Sequence, residues 1–423
     1  MQILHLSWEY PPLVYGGLGR HVHALAEAQA AQGHEVVVVT QTEETVADRL
    51  VNGVRIITAR RDLPQLALTN DTLLAWVAGM EHALTRATVD LAKTWRPDVI
   101  HAHDWMVAHV ASTASRLFDQ PFVATFHATE AGRHQGWVPQ GLPQSVHTVE
   151  WWLAQAATRL ITCSQHMRWE ATRLFDVSKD KIDVVPNGID VSVWKVSPGA
   201  AEHAYAQFSD GGPLLVFAGR LEWEKGVQVL LQAFGQTLLQ HPTARLVIAG
   251  KGGMRERFLQ LAGQLRLGHH VRFAGWLPED QLHGLIAGAT VAIVPSLYEP
   301  FGLVALEAAA LRTPLILSEA GGLREIADGG SAAITFTADD STALAAAISE
   351  VLAHPKEADA RSDYASELLT RRYAWPIIAQ ETVRSYSRAV ADWDAAGPPT
   401  VSDAPPPLPV DNLLLDSVGA SAR

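Results

Sequence analysis

Cysteine occurs once in the 423 residues, at Cys163. The chain therefore cannot build an internal disulfide framework or a cysteine-rich zinc site. A single cysteine also favours a reducing compartment. Because Cys163 follows a strand-like apolar run, we expect it to be a small buried side chain rather than a nucleophile.

Long apolar runs and positive charge are also scarce. The longest apolar stretch, Leu285 to Pro295, falls short of the ~18 residues that span a bilayer. The first residues contain neither the basic nor the apolar region of a secretory signal, so we expect a cytoplasmic protein without an integral membrane segment. Lys and Arg total 33 against 45 Asp and Glu, a formal net charge of −12. This balance disfavours a nucleic-acid partner.

Apolar runs that resemble buried parallel strands alternate with helical stretches along the chain. Strands are predicted at 3–7, 35–40, 54–58, 98–102, 122–126, 160–162, 182–185, 214–219, 245–250, 271–275, 291–296 and 314–318. The fold class is therefore α/β, with two Rossmann-like domains facing each other across a cleft. We place the N-terminal domain at 1–190 and the C-terminal domain at 191–396, with the last helix crossing back to the first. The Pro-rich segment 397–423 is predicted to be a disordered tail.

The strongest chemical signal is the segment Tyr298–Ala308, which links a buried strand to an apolar helix. Gly302 allows a ligand to approach the backbone, and the first amides of the helix can bind an anion or hydroxyl groups. Glu299 and Glu307 are placed to face one pocket. The alternative is a loop carboxylate and an unrelated solvated helix carboxylate, but the full segment in this context favours a binding loop.

A charged loop follows the first strand of the second domain. Arg220 offers a planar fork of donors and Lys225 a compact positive charge, and both suit a diphosphate. A surface loop of ion pairs with Glu222 and Glu224 is the alternative for this segment.

Glycines at 16, 17 and 19 follow the first strand and open a helix. Their spacing is not G-x-G-x-x-G, and no acidic residue clearly ends the second strand, so the dinucleotide-binding pattern is not satisfied. A loop that binds a phosphate or sugar and a merely tight turn both stay open.

Histidines gather at the ends of two predicted strands. His101, His103 and Asp104 suggest a metal site, but we expect the two rings to point to opposite faces of their strand, so no metal is predicted. His101 is then a packed histidine. His127, at the carboxyl end of the next strand, is the better candidate for an active-site residue.

These segments together resemble the retaining glycosyltransferases of the glycosyltransferase-B fold, in the large fourth sequence family that includes sucrose synthases and bacterial mannosyltransferases. The resemblance covers nearly the whole chain and includes 186–190 at the domain junction. Segments 7–12, 101–105 and 127–134 are most similar to the glycogen-synthase-like α-1,4-glucosyltransferases of glycogen and methylglucose lipopolysaccharide synthesis. One departure is Val14, which stands where many bacterial glycogen synthases carry a lysine, so their donor preference does not carry over.

The resemblance implies roles for the donor-binding loop. Glu299 would hydrogen-bond the donor glucose and stabilise the positive charge that develops on its ring. The amides of Phe301, Gly302 and Leu303 would hold glucose hydroxyls and the distal phosphate. Glu307 would bind the ribose hydroxyls.

The remaining roles, also implied by resemblance, concern the leaving group and the sugar. Arg220 and Lys225 would neutralise the diphosphate, and His127 would contact the sugar. Gly16 and Gly17 would let the first loop close over the phosphates.

Glu9 and Asp104 are the candidates for acceptor contacts. The implied reaction moves glucose from ADP-glucose or UDP-glucose to the non-reducing end of an α-1,4-glucan, with no cofactor and no metal. The alternatives are a mannosyl- or glucosyltransferase with a lipid or small acceptor, a synthase that forms maltose phosphate, and a non-catalytic module that binds glucan or sugar nucleotide.

Overall fold

The computed structural model describes residues 1–44 and 46–401, which form two compact units. Unit 1 contains Met1–Gly188 and the chain from Trp375 onward, and unit 2 is Ile189–Ala374. The last helix is thus grouped with unit 1, whereas the sequence-based domain ranges placed it in the second domain and expected it to cross back. Most of the predicted disordered tail lies outside the described residues.

The strands and helices alternate through both units. The strands are β1 (Gln2–Ser7), β2 (Glu35–Thr42), β3 (Asp48–Val51), β4 (Val54–Arg60), β5 (Val99–His103), β6 (Phe122–Phe126), β7 (Arg159–Thr162), β8 (Ile182–Val184), β9 (Leu214–Ala218), β10 (Arg245–Ala249), β11 (Val271–Gly275), β12 (Val291–Val294), β13 (Leu315–Ser318) and β14 (Ile334–Phe336). The helices are α1 (Gly17–Ala31), α2 (Leu73–Leu91), α3 (Ala108–Phe118), α4 (Glu130–Arg133), α5 (Leu142–Ala156), α6 (Gln165–Phe175), α7 (Ala200–Phe208), α8 (Val227–Thr237), α9 (Arg255–Gln264), α10 (Glu279–Ala287), α11 (Leu303–Ala310), α12 (Leu323–Ala327), α13 (Ser341–Ala353), α14 (Pro355–Arg372) and α15 (Trp375–Ala396).

Unit 1 is built on an eight-stranded sheet in the order β3-β4-β2-β1-β5-β6-β7-β8. Its pairs are parallel except for β3 with β4. The central strands are buried along nearly their whole length, which explains why apolar residues occupy both of their faces. Strand β1 has β2 on one side and β5 on the other, so the strand order reverses there. In open α/β sheets, ligands bind at the carboxyl ends of the strands where the order reverses.

Unit 2 follows the same rule with a six-stranded parallel sheet in the order β11-β10-β9-β12-β13-β14. The order reverses between β9 and β12, which pair directly. Its own apolar core, including Phe217, Leu230 and Ile293, lies between the sheet and the flanking helices. The loops after β9 and β12 therefore meet at the edge where a ligand site is expected.

None of the helices in the described part of the chain has the length and apolar character needed to cross a bilayer.

Candidate active site

The loops after β9 and β12 bring two predicted site residues into direct contact. Lys225 Nζ lies 2.7 Å from Glu299 Oε2, and Ser296 Oγ donates to the same oxygen at 3.1 Å. The Lys225 and Glu299 side chains are 18% and 13% exposed, so the pair is largely shielded from water. The carboxylate is therefore fixed and partly neutralised at the place where strand order reverses.

Gly226 makes this contact sterically possible. Its φ is +71°, and a Cβ at this position would lie 1.8 Å from the carbonyl oxygen of Pro295. A side chain would push the loop after β9 away from the end of β12. The Leu297 amide also donates to the Glu224 carbonyl at 2.7 Å, which ties the same two loops together.

Arg220 is in a different environment from Lys225. Its side chain is 58% exposed and pairs with Glu224 at 3.1 Å. Glu222 accepts a hydrogen bond from the Gly253 amide at 2.9 Å. The alternative of a surface ion pair with a neighbouring glutamate therefore describes Arg220, whereas Lys225 pairs with Glu299.

Helix α11 begins directly after this loop. Its N-cap, Gly302, has a φ of +112°, and a Cβ there would lie 2.5 Å from Leu323 Cδ2. Within the described chain no side chain caps the helix. The backbone amides of its first turn, which begins at Leu303, can therefore donate hydrogen bonds to an anion. Phe301 is buried beside Tyr373, and Glu307 lies half-buried in the second turn.

In unit 1, the glycine loop is held by Glu9. Its Oε2 accepts hydrogen bonds from the amides of Tyr15 at 2.8 Å and Gly16 at 3.0 Å, and the residue is 3% exposed. Helix α1 then begins at Gly17. A carboxylate that binds its own loop is a different use of Glu9 from the predicted acceptor contact, which stays a prediction.

Asp104 supports His127 at the neighbouring strand ends. Asp104 has an unusual φ of +62°, and its Oδ1 accepts a hydrogen bond from the His127 amide at 2.7 Å. Burial raises the pKa of Asp104 to about 7, although this hydrogen bond opposes the shift. Burial also lowers the pKa of His127 to about 4, so its ring is neutral near pH 7.

The expectation that His101 and His103 point to opposite faces was wrong. Side chains two residues apart on a strand share a face, and the two ring centroids lie 4.0 Å apart. His5 lies opposite His101 in the register of β1 with β5. His21 of α1 joins from the adjacent helix, with its ring centroid 4.8 Å from that of His127.

This histidine cluster (His5, His21, His101, His103 and His127) was found only in part by sequence reasoning. Two sets within it each bring three ligand nitrogens within 4.8 Å of one another. The sets are His5 with His101 and His103, and His21 with His103 and His127. The alternation along β1 and β5 would have placed the first set on one face, whereas nothing local to α1 marks His21.

Comparison with known proteins identifies the family. The model for Glycosyltransferase Family 4 matches residues 15–193, and that for Glycosyl transferases group 1 matches 201–368. A glycogen synthase of Mycobacterium tuberculosis is 43% identical over 401 residues, covering 92% of this chain and 95% of the relative. The chain belongs to the family 4 glycosyltransferases.

This glycosyltransferase also resembles an alpha-maltose-1-phosphate synthase of Mycolicibacterium smegmatis, at 30% identity over 92% of the chain and 100% of the relative. The sucrose-phosphate synthase structure from Thermosynechococcus elongatus matches with a TM-score of 0.78 and 24% identity, covering 92% of this chain and 100% of that one. The catalytic domain of starch synthase IV from Arabidopsis thaliana, bound to ADP and acarbose, matches at 0.70 and 18%, with the same coverage. The family resemblance and the α/β fold class with two parallel-sheet domains are confirmed.

Proposed function

We propose that this enzyme is a retaining glucosyltransferase that moves glucose from a nucleotide diphosphate glucose to the non-reducing end of an α-1,4-glucan. The observation that carries the proposal is the Lys225–Glu299 pair, 2.7 Å apart, beside the uncapped first turn of α11. The 43% identity to a glycogen synthase supports the choice of glucose and glucan.

The donor half of the mechanism uses the residues of unit 2. As the bond between the anomeric carbon and the diphosphate breaks, negative charge collects on the distal phosphate. Lys225, Arg220 and the amides of Phe301 to Leu303 stabilise that charge, because fixed donors and cations act without reorganising. Glu299 hydrogen-bonds the glucose and stabilises the positive charge on its ring, and Glu307 binds the ribose.

The bond-forming step needs no enzymic nucleophile. The acceptor hydroxyl attacks the anomeric carbon on the face from which the diphosphate departs, and its proton passes to the diphosphate. The new glycosidic bond therefore keeps the α configuration. Neither a cofactor nor a metal takes part in this scheme.

The roles that we assign to residues of unit 1 rest on the family resemblance. We assign His127 to a glucose hydroxyl, since a neutral ring can offer one donor and one acceptor nitrogen. Gly16 and Gly17 keep the phosphate role that the resemblance implies, in a loop that Glu9 holds through the amides of Tyr15 and Gly16. Asp104 positions the His127 backbone and is also our candidate for an acceptor contact.

A second candidate is the formation of maltose phosphate from a glucose phosphate acceptor. It is favoured by the full-length similarity to the alpha-maltose-1-phosphate synthase of Mycolicibacterium smegmatis. The reaction at the anomeric carbon is the same, so only the acceptor distinguishes the two proposals.

A matrix of donors and acceptors tests both. ADP-glucose and UDP-glucose are each offered with maltose, longer maltooligosaccharides, glucose phosphate and glycogen, and the products are analysed by NMR for linkage and anomeric configuration. We expect α-1,4 extension of glucans. Preferred transfer to glucose phosphate would favour the second candidate, and an inverted product or no transfer from any donor would contradict both.

A further inference from the structure

Three histidine nitrogens converge within unit 1 from three separate elements. His21 lies on α1, His103 ends β5, and His127 follows β6. Each offers one ring nitrogen, and the three nitrogens lie within 4.8 Å of one another. Such convergence of neutral imidazoles is the usual arrangement of a transition-metal site.

The distance between two of these nitrogens fits a metal better than a hydrogen bond. His103 Nδ1 and His127 Nε2 are 3.4 Å apart, beyond the usual 2.7–3.2 Å range of a strong N–H hydrogen bond. Two imidazoles that bind Zn²⁺ tetrahedrally, with Zn–N bonds of about 2.0–2.1 Å, are separated by roughly 3.4 Å. The pair is therefore spaced as one edge of a zinc tetrahedron.

Hydrogen bonds behind His103 leave the required lone pair on its Nδ1. The Gln29 amide nitrogen donates to Tyr386, so its Oε1 faces His5 and accepts from His5 Nε2 at 2.7 Å. His5 Nδ1 then accepts from His103 Nε2 at 3.0 Å. In the neutral ring, His103 Nδ1 carries no proton and points towards His127. Outer hydrogen bonds of this kind orient the histidine ligands of metal sites.

His21 provides an independent observation. It is 7% exposed, and among residues 1–44 and 46–401 no hydrogen bond of good geometry reaches its buried Nδ1, although the side chain of Asn187 acts on the ring as a weak partner. A buried polar atom without a partner is costly. A metal ion coordinated by this nitrogen would remove that cost.

We propose that His21, His103 and His127 bind a nitrogen-preferring divalent cation of the Zn²⁺ class, with the remaining coordination position open to water. The competing set of His5, His101 and His103 is less suitable. Both nitrogens of His101 are already within hydrogen-bond distance of a partner, Tyr386 at 2.6 Å and Thr125 at 2.7 Å.

Occupancy of this site inhibits glucosyl transfer. The cation takes the Nε2 of His127 and fixes the ring that we assign to the donor sugar. This consequence rests on the proposed function, whereas the binding itself does not.

Binding is tested on the full chain after treatment with a chelator. Zn²⁺ titration by calorimetry and the visible absorption of Co²⁺ report affinity, stoichiometry and coordination. We expect one ion per chain with the intense bands of tetrahedral Co²⁺. His21→Gln and His103→Gln should each weaken binding at least about tenfold.

The matched control is His23→Gln on the same helix, because His23 is 38% exposed and pairs with Glu27 at 3.0 Å. It should bind Zn²⁺ like the wild type, and circular dichroism checks that every variant folds. Wild type that binds no Zn²⁺ at millimolar concentration would overturn the proposal. So would unchanged binding by His21→Gln, or a loss confined to His101→Gln.

Inhibition is measured separately, as the rate with Zn²⁺ relative to the metal-free rate of the same protein. We expect wild type and His23→Gln to lose activity and His21→Gln to resist. Zinc bound without loss of rate would overturn the inhibition alone. If no donor is turned over, the proposed function fails while the calorimetric result still decides the site.

Discussion

At the scale of single residues, Glu307 tests the donor assignment. Contacts to the ribose change little between bound donor and transition state, so they contribute to affinity rather than to the chemical step. We expect Glu307→Ala to raise the donor KM about tenfold or more, with kcat comparatively preserved. Steady-state kinetics with varied donor measure both constants.

The matched control for this prediction is Glu350→Ala, which removes an exposed helix carboxylate beside His354. It should leave both constants unchanged. A collapse of kcat in Glu307→Ala at unchanged KM would assign this carboxylate to the chemical step instead.

Lys225 and Arg220 test how the leaving group is stabilised. Lys225→Ala and Arg220→Ala should each cost roughly 3–4 kcal/mol of transition-state stabilisation, or about 10²–10³ in kcat, as for loss of a fixed oxyanion donor. Lys225→Ala also leaves Glu299 without its 2.7 Å partner. The assay is kcat at saturating donor, with and without EDTA, and turnover should survive the chelator.

Arg312→Ala is the control for charge removal, because Arg312 forms an exposed ion pair with Asp363. Variants at Lys225 and Arg220 that stay within about threefold of wild type would refute the assignment. Full loss of wild-type turnover in EDTA would refute the metal-free mechanism.

Sequence reasoning identified Arg220, Lys225 and Glu299 because each lies in a loop that follows a predicted strand, where ligands bind in α/β sheets. It did not predict that Lys225 contacts Glu299 while Arg220 pairs with Glu224. Such pairing depends on which strands are neighbours in the sheet. The histidine cluster was found only in part for the same reason, since it joins β1, β5, α1 and the loop after β6.

At the scale of elements, Gly226 controls whether the loops after β9 and β12 can meet. Gly226→Ala forces a side chain into positive φ and against the Pro295 carbonyl. The conformation alone costs about 1–3 kcal/mol, and the contact adds to it. We expect a lower midpoint in urea for the unfolding of unit 2, together with reduced donor binding.

Gly263→Ala provides the opposite control. Gly263 lies inside α9, and a Cβ there would have no atom within 4 Å among the described residues. The substitution should stabilise the protein by roughly 0.5–1 kcal/mol through helix propensity. Equal midpoints for the two variants would contradict the steric role of Gly226.

The elements themselves were largely predictable where apolar patterning is strong. The run predicted at 122–126 is β6, and those at 214–219 and 245–250 correspond to β9 and β10. Strand β3 was missed because all four of its residues are exposed and it pairs antiparallel at the sheet edge. An edge strand without a buried face leaves no periodic apolar signal.

At the scale of the whole molecule, the histidine cluster makes stability depend on pH. Burial lowers the pKa of His5 and His127 to about 4. Burial, reinforced by the neighbouring histidines, also lowers the pKa of the other three members, His21, His101 and His103. In the unfolded chain all five titrate near their ordinary value of about 6.5.

The sign of the effect follows from proton binding. Below a pH of about 6.5 the histidines of the unfolded chain bind protons that the folded cluster does not bind. The stability of the folded state therefore falls as the pH falls towards 4. Each histidine contributes a slope of up to about 1.4 kcal/mol per pH unit. Asp104 acts in the opposite direction, because its raised pKa of about 7 favours the folded state as it becomes protonated. Burial also raises the pKa of Glu150, which acts in the same direction as Asp104. Two opposing groups do not offset five.

We therefore expect the free energy of unfolding of unit 1 to fall steeply as the pH is lowered from 6.5 to 5. Urea unfolding at a series of pH values measures it. His101→Gln removes one titrating ring and should give a shallower slope, even if it lowers stability at every pH. His203→Gln, at an exposed position of α7 in unit 2, should keep the wild-type slope. Stability that stays level from pH 7 to 5 in the wild type would mean that the folded cluster accepts protons, which its burial and mutual contacts oppose.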